Sequence, residues 1–175
     1  PYGTLTDFVT GKVVPDVGAE ANRQAVERFL VEEKGYLREN IEVDAPIQLN
    51  VKGTVYRSTL DLVVSVCGKR YLVVKCAPGS LGSREREVVA AARLVGAHQV
   101  PLAAVSDGNT AVLIDTLSGR KIGEGLAALP SKTAAEAQSA ATSPEPLPED
   151  RREREALIFR SYDMMNVNVG RRVSG

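Results

Sequence analysis

Between positions 60 and 83 the chain reads LDLVVSVCGKRYLVVKCAPGSLGS, two short apolar runs rich in β-branched residues on either side of Gly68-Lys69. That pattern predicts a β-hairpin. With a two-residue Gly68-Lys69 turn, Cys67 pairs with Arg70, Val63 with Val74, and Asp61 with Cys76. Alternation then puts Asp61, Val63, Ser65, Leu72, Val74 and Cys76 on one face, and Leu62, Val64, Val66, Tyr71, Val73 and Lys75 on the other. Upstream, Val17, Ala21, Ala25, Val26, Phe29 and Leu30 recur at helical spacing, opened by Pro15-Asp16 and stopped by Gly35, so a helix is expected over 17–34. Positions 41–49 alternate as a strand, with Pro46 marking an edge or a bulge. A turn at 50–53 leads into a second strand over 54–67. After the hairpin, the loop 78–83 enters a helix over 84–95, with Ser83 as its N-cap. The small run Ala90-Ala91-Ala92 would let this helix lie close on the sheet. Strands over 100–105 and 111–114 flank Asp107-Gly108-Asn109, a hairpin signal. Residues 1–14 carry little pattern and read as an arm or an edge strand.

From Thr116 the composition shifts. An Ala-rich helix is expected over 131–143, then a stiff Pro-rich linker at 144–148, then a charged helix over 149–165. The division this suggests is a globular domain over 1–120 and a helical C-terminal extension over 121–175, which packs back on the domain or serves a partner. With 43% hydrophobic and 25% charged residues, the chain is an ordinary globular sequence. Lys plus Arg and Asp plus Glu number 22 each, so a whole-chain basic footprint for nucleic acid is excluded and any such contact must be local. No apolar run approaches the length of a membrane span, and cytoplasmic residence is the expectation. Both cysteines fall in predicted strands on one face without pairing, as reduced thiols.

Most familiar chemistries are unavailable. His98 is the single histidine, so neither a histidine triad nor a multi-histidine metal centre can be built, and GSLGS matches no phosphate-binding glycine motif. The loop 78–83, opening on a helix N-terminus, is a candidate anion or DNA cradle through Ser80, Ser83, Arg84 and Arg86. Asp61 on an apolar face needs a hydrogen-bond donor or a cation, and the amides of 79–82 or a basic side chain are the candidates.

The order helix, three strands, helix, strand, with Asp61 on the second strand, Lys75-Cys76-Ala77-Pro78 on the third and Glu20-Arg23-Gln24 in the first helix, resembles the PD-(D/E)XK nuclease superfamily. Within it, the likeness is to the N-terminal nuclease domain of the type I restriction enzyme R subunit. The resemblance implies an α/β fold: a restriction-endonuclease-like mixed sheet of about five strands (αβββαβ core) flanked by helices, with the C-terminal helices appended. It also implies metal-dependent DNA endonuclease chemistry, in which carboxylates hold Mg²⁺ and a lysine orients water or steadies phosphate charge. Carried over by position, Asp61 is the metal ligand, Glu20 the helix acid, and Lys75 and Cys76 the third-strand residues. The family has Glu-X-Lys-Ala-Pro where this chain has Val74-Lys75-Cys76-Ala77-Pro78, and Val88 and Ala92 stand where it has Gln and Tyr. Lys75 also falls on the face opposite Asp61 unless a bulge at 74–76 turns it, and a second carboxylate would be borrowed from Glu20, Glu85 or Glu87. The expectation is therefore a stand-alone relative with a degenerate site that contacts DNA or a restriction-modification-type protein. The alternatives are an active Mg²⁺-dependent endonuclease using Asp61, Lys75 and a borrowed glutamate, and a protein-interaction module acting through the tail helix.

Overall fold

The computed structural model describes residues 3–79, 81–142 and 144–173, with side chains as far as Asn166. Two short strands, β1 (Thr4–Thr6) and β2 (Val13–Pro15), pair as an antiparallel arm ahead of helix α1 (Glu20–Glu32). There follow β3 (Ile41–Val51), β4 (Thr54–Val66), β5 (Lys69–Cys76), α2 (Glu85–Leu94), β6 (Leu102–Ser106), β7 (Ala111–Asp115), β8 (Lys121–Glu124), α3 (Lys132–Ala141) and α4 (Glu149–Val173). Strands β3 to β8 form one six-stranded sheet in chain order, one strand more than the sequence suggested. Neighbours are antiparallel except β5 and β6, which run parallel because α2 crosses between them. The added strand, β8, lies beyond position 120, where the change in composition suggested that the core ends.

The sheet is covered on both faces. On one, Val26 and Leu30 of α1 and Ala135 of α3 pack on Leu62, Val64, Leu72, Val74, Cys76 and Ala104. On the other, α2 and the α4 residues Ala156 and Phe159 pack on Val63, Val73, Ala103, Val105 and Ile114. Ala90, Ala91 and Ala92 are all buried, which is what brings α2 close to the strands. Helix α4 packs back along α2 and onto β3. Pro46 sits in β3, an edge strand, where its missing N–H need not serve a second neighbour.

Two irregularities place the site. In β3, Ile41 and Val43 face α1 while Ala45 and Ile47 face α2 and α4, although all four share one parity; in β4, Leu60 and Leu62 differ in the same way. Both strands exchange faces at one level, Asp44 and Asp61, which lie between the pairs Val43↔Leu62 and Ala45↔Leu60. Asp44 takes up the change with a φ of 53°, a conformation Asp tolerates better than most residues. The second irregularity corrects the hairpin. Its turn is Cys67-Gly68, with φ of 54° and 73°, so Val66 pairs with Lys69 and Cys67 lies in the turn rather than in a strand. Ser65 then pairs with Arg70 but Val64 with Leu72, leaving Tyr71 as a bulged extra residue. From there on, Val63 opposes Val73 and Leu62 opposes Val74, one residue away from the expected register. Such a slip reverses which side chains share a face.

Candidate functional site

Because of that reversal Lys75 comes to Asp61. Its Nζ lies 3.8 Å from Asp61 Oδ2, and the same nitrogen lies 3.8 Å from Glu87 Oε1 on α2. The bulge that turns the lysine is at Tyr71, not at 74–76. Asp61 Oδ2 also accepts the Cys76 backbone N–H at 2.8 Å, so among the described residues its hydrogen-bond donor is that strand amide rather than an amide of the following loop, with Lys75 as its ion-pair partner. Asp61, Lys75, Glu87, Phe159 and Asp163 line one small cavity of about 10 Å³.

Glu87 is the acid that sequence reasoning named only as one of three options. Its side chain is 2% exposed, and burial raises its pKa, with the charges of Asp163 and Asp61 adding to the effect and Lys75 and Arg84 opposing it. Asn166 of α4 donates to Glu87 Oε1 at 2.8 Å, while Oε2 accepts no hydrogen bond among the described residues and has the Arg84 guanidinium 3.8 Å away. Arg84 also donates to Asn166, and the Tyr56 hydroxyl donates to Asp163. Burial and the neighbouring carboxylate of Asp163 raise the Tyr56 pKa. Tyr56, Asp163 and Asn166 escaped the sequence reading; a charged tail helix gives no local sign of where it docks.

The other expected residues go elsewhere. Glu20 opens α1 and is held by Arg23 at 2.8 Å; Arg23 in turn bonds Asp44 at 2.7 Å, and Gln24 donates to Glu20 at 2.9 Å. Glu20 is thus tied to the strand exchange through Arg23 and Asp44, without direct contact with Asp61 or Lys75. Cys76 is buried on the α1 side, where desolvation and Asp61 push its thiol pKa well above the ordinary value. There Cys76 packs with Leu72, Val74 and Ala104. Arg86 is bonded to Glu155 of α4 at 2.8 and 2.5 Å, and Glu155 also takes Arg93 at 2.8 Å. These partners hold the Glu155 pKa below the usual carboxylate value despite its burial. Ser83 lies in the 3-10 turn Gly82–Arg84, and Arg84 rather than Ser83 occupies the N-cap of α2, with no side-chain cap. Ser80 lies outside the described residues.

The carboxylates that would hold a Mg²⁺ here are Asp61 and Glu87, each 3.8 Å from the Lys75 ammonium. Two carboxylates flank one ammonium that takes the position between them, and among the described residues no three His, Cys, Asp or Glu side chains converge to hold a metal. Mg²⁺ favours carboxylate ligands that are free to replace its waters. Lys75 thus sets one positive charge beside two negative ones, next to α4.

A mixed sheet with helices on both faces and an αβββαβ core, carrying charged residues where the second and third core strands meet the following helix, is a restriction-endonuclease-like fold. The comparisons agree at the family level. The chain belongs to the family described as Type I restriction enzyme R protein N terminus (HSDR_N), whose model matches residues 18–130, from just before α1 to just before α3. No curated protein and no solved structure matches the chain significantly. Among the described residues no helix is long and apolar enough to cross a membrane.

Proposed function

We propose that the chain is a non-cleaving relative of the R-subunit nuclease domain, of PD-(D/E)XK descent, that contacts DNA within a restriction-modification setting. One observation carries this: Lys75 stands between Asp61 and Glu87 on the α2 face, while Val74 and Cys76, at the family's acid and lysine positions, are packed into the α1-side core. Side chains alternate across a strand, so with Lys75 beside Asp61 its neighbours Val74 and Cys76 turn to the other face. The acid once beside it is a valine, and valine ligates nothing. Asp61 spends its charge on Lys75 and the Cys76 amide.

The test is a supercoiled-plasmid nicking assay with Mg²⁺ or Mn²⁺, run beside binding of a fluorescent duplex at low salt. The expected result is salt-sensitive binding without nicking above the level of the Asp61→Ala variant. Metal-dependent nicking that Asp61→Ala abolishes would overturn this reading in favour of an active endonuclease using Asp61, Lys75 and Glu87. That second reading draws on Oε2 of Glu87, a buried acceptor without a hydrogen-bond partner among the described residues.

A further inference from the structure

We propose that Phe8 and the two guanidiniums stacked on it, Arg28 and Arg38, are the contact for DNA backbone phosphates, an inference that rests on the DNA reading above and gives it a surface. Arg28 Cζ lies 4.7 Å and Arg38 Cζ 4.4 Å from the centroid of the Phe8 ring, so the two cations are at most 9.1 Å apart. They come from different elements, Arg28 from α1 and Arg38 from the 3-10 turn Arg38–Asn40 that precedes β3.

The ring is fixed from below. Phe8 N donates to Gln24 Oε1 at 2.7 Å, Val9 N donates to Glu27 Oε1 at 3.1 Å, and Arg38 Nε donates to the Phe8 carbonyl at 2.9 Å. A guanidinium stacked on an aromatic face keeps its in-plane N–H edge available, and that edge matches the oxygens of a phosphate. Because stacking has already selected the rotamers, less side-chain entropy is lost when an anion arrives.

Neither cation is consumed within the protein. The Arg28 side chain is 60% exposed and its pairing with Glu32 is 3.7 Å long between two exposed groups, a contact that contributes little. Among the described residues no carboxylate comes within 4.0 Å of Arg38. The two arginines that the sequence offered for this task are differently placed. Arg86 is bonded twice to Glu155, and Arg84 is engaged by Asn166 and Glu87. The phosphate contact therefore moves from the N-terminus of α2 to the docked arm. Glu20, Gln24 and Arg28 follow one another at four-residue spacing on α1, so the stack lies about 12 Å along that helix from Glu20.

The experiment is fluorescence anisotropy of a labelled duplex of about twenty base pairs, an arbitrary probe length, titrated across a salt series. The wild type, the Arg28→Gln/Arg38→Gln double variant and Phe8→Leu are compared, each checked for an unchanged melting temperature. Losing both contacts should weaken binding at least tenfold and reduce the slope of log affinity against log salt by roughly 1.8, about 0.9 for each phosphate. Phe8→Leu keeps both charges and should weaken binding by a smaller factor with the slope retained. A double variant with wild-type affinity and slope overturns the clamp while leaving the DNA reading intact. Absence of wild-type binding at low salt removes both.

Discussion

Lys75 lies 3.8 Å from both Asp61 Oδ2 and Glu87 Oε1, so one ammonium serves a carboxylate of a strand and a carboxylate of a helix. Asp61 and Lys75 stand out of the sequence because each breaks an apolar pattern, but the acid that joins them, Glu87, arrives from α2, while Glu20 pairs with Arg23 of its own helix, which in turn binds Asp44 at its positive φ. No spacing rule connects positions 61, 75 and 87. A further pair was invisible for the same reason. Asp7 and Glu27, both buried, meet where the arm docks on α1, and Asp7 is satisfied by Gln24 and by the amides of Val9 and Thr10. The Glu27 pKa is pushed up to about 8 by burial and by the facing Asp7 carboxylate, so Glu27 is protonated in the folded state over most of the neutral range. Its unfolded pKa is near 4.3. Between those values the folded protein holds the extra proton, so this contribution to stability is complete below about pH 4.3, falls as pH rises and is gone above about pH 8. Urea unfolding from pH 5.5 to 8.5 should show the wild type losing stability relative to Glu27→Gln, by at most about 1.4 kcal/mol per pH unit. Parallel pH profiles for the two proteins would contradict the assignment.

At the scale of elements, helix α1, strands β3 to β7 and helix α2 were legible, because periodicity and punctuation by Gly and Pro agree there. The register of β4 on β5 was not. The runs Leu62-Val63-Val64 and Leu72-Val73-Val74 are buried on both faces, so alternation carries no information about which side is which. A single bulged residue, Tyr71, then decides where Lys75 points. The turn misled for a related reason: Gly68 does take positive φ, but its partner in the turn is Cys67, a residue with no special preference for that conformation. Cys67 is exposed, and Asn accepts its φ of 54° more readily. Cys67→Asn is expected to stabilise the protein by about 0.5–1 kcal/mol, raising the melting temperature by roughly 1–4 °C. An unchanged or lower melting temperature would mean the turn is not strained.

Over the whole molecule, the C-terminal helix is part of the site. Glu155 binds arginines of α2, Phe159 is buried against the core, and Asn166 reaches Glu87, so α4 forms one wall of the cavity lined by Asp61 and Lys75. The sequence foretold the helix and left open whether it packs back or serves a partner; its docking depends on α2 arginines that looked free for DNA. On the proposed non-cleaving reading, the charges of Asp61, Lys75 and Glu87 satisfy one another rather than a metal. Calorimetric titration of the protein with millimolar Mn²⁺, beside Asp61→Asn, tests that claim most directly. The expected result is no saturable heat from either protein. A one-to-one isotherm from the wild type that Asp61→Asn abolishes would contradict it.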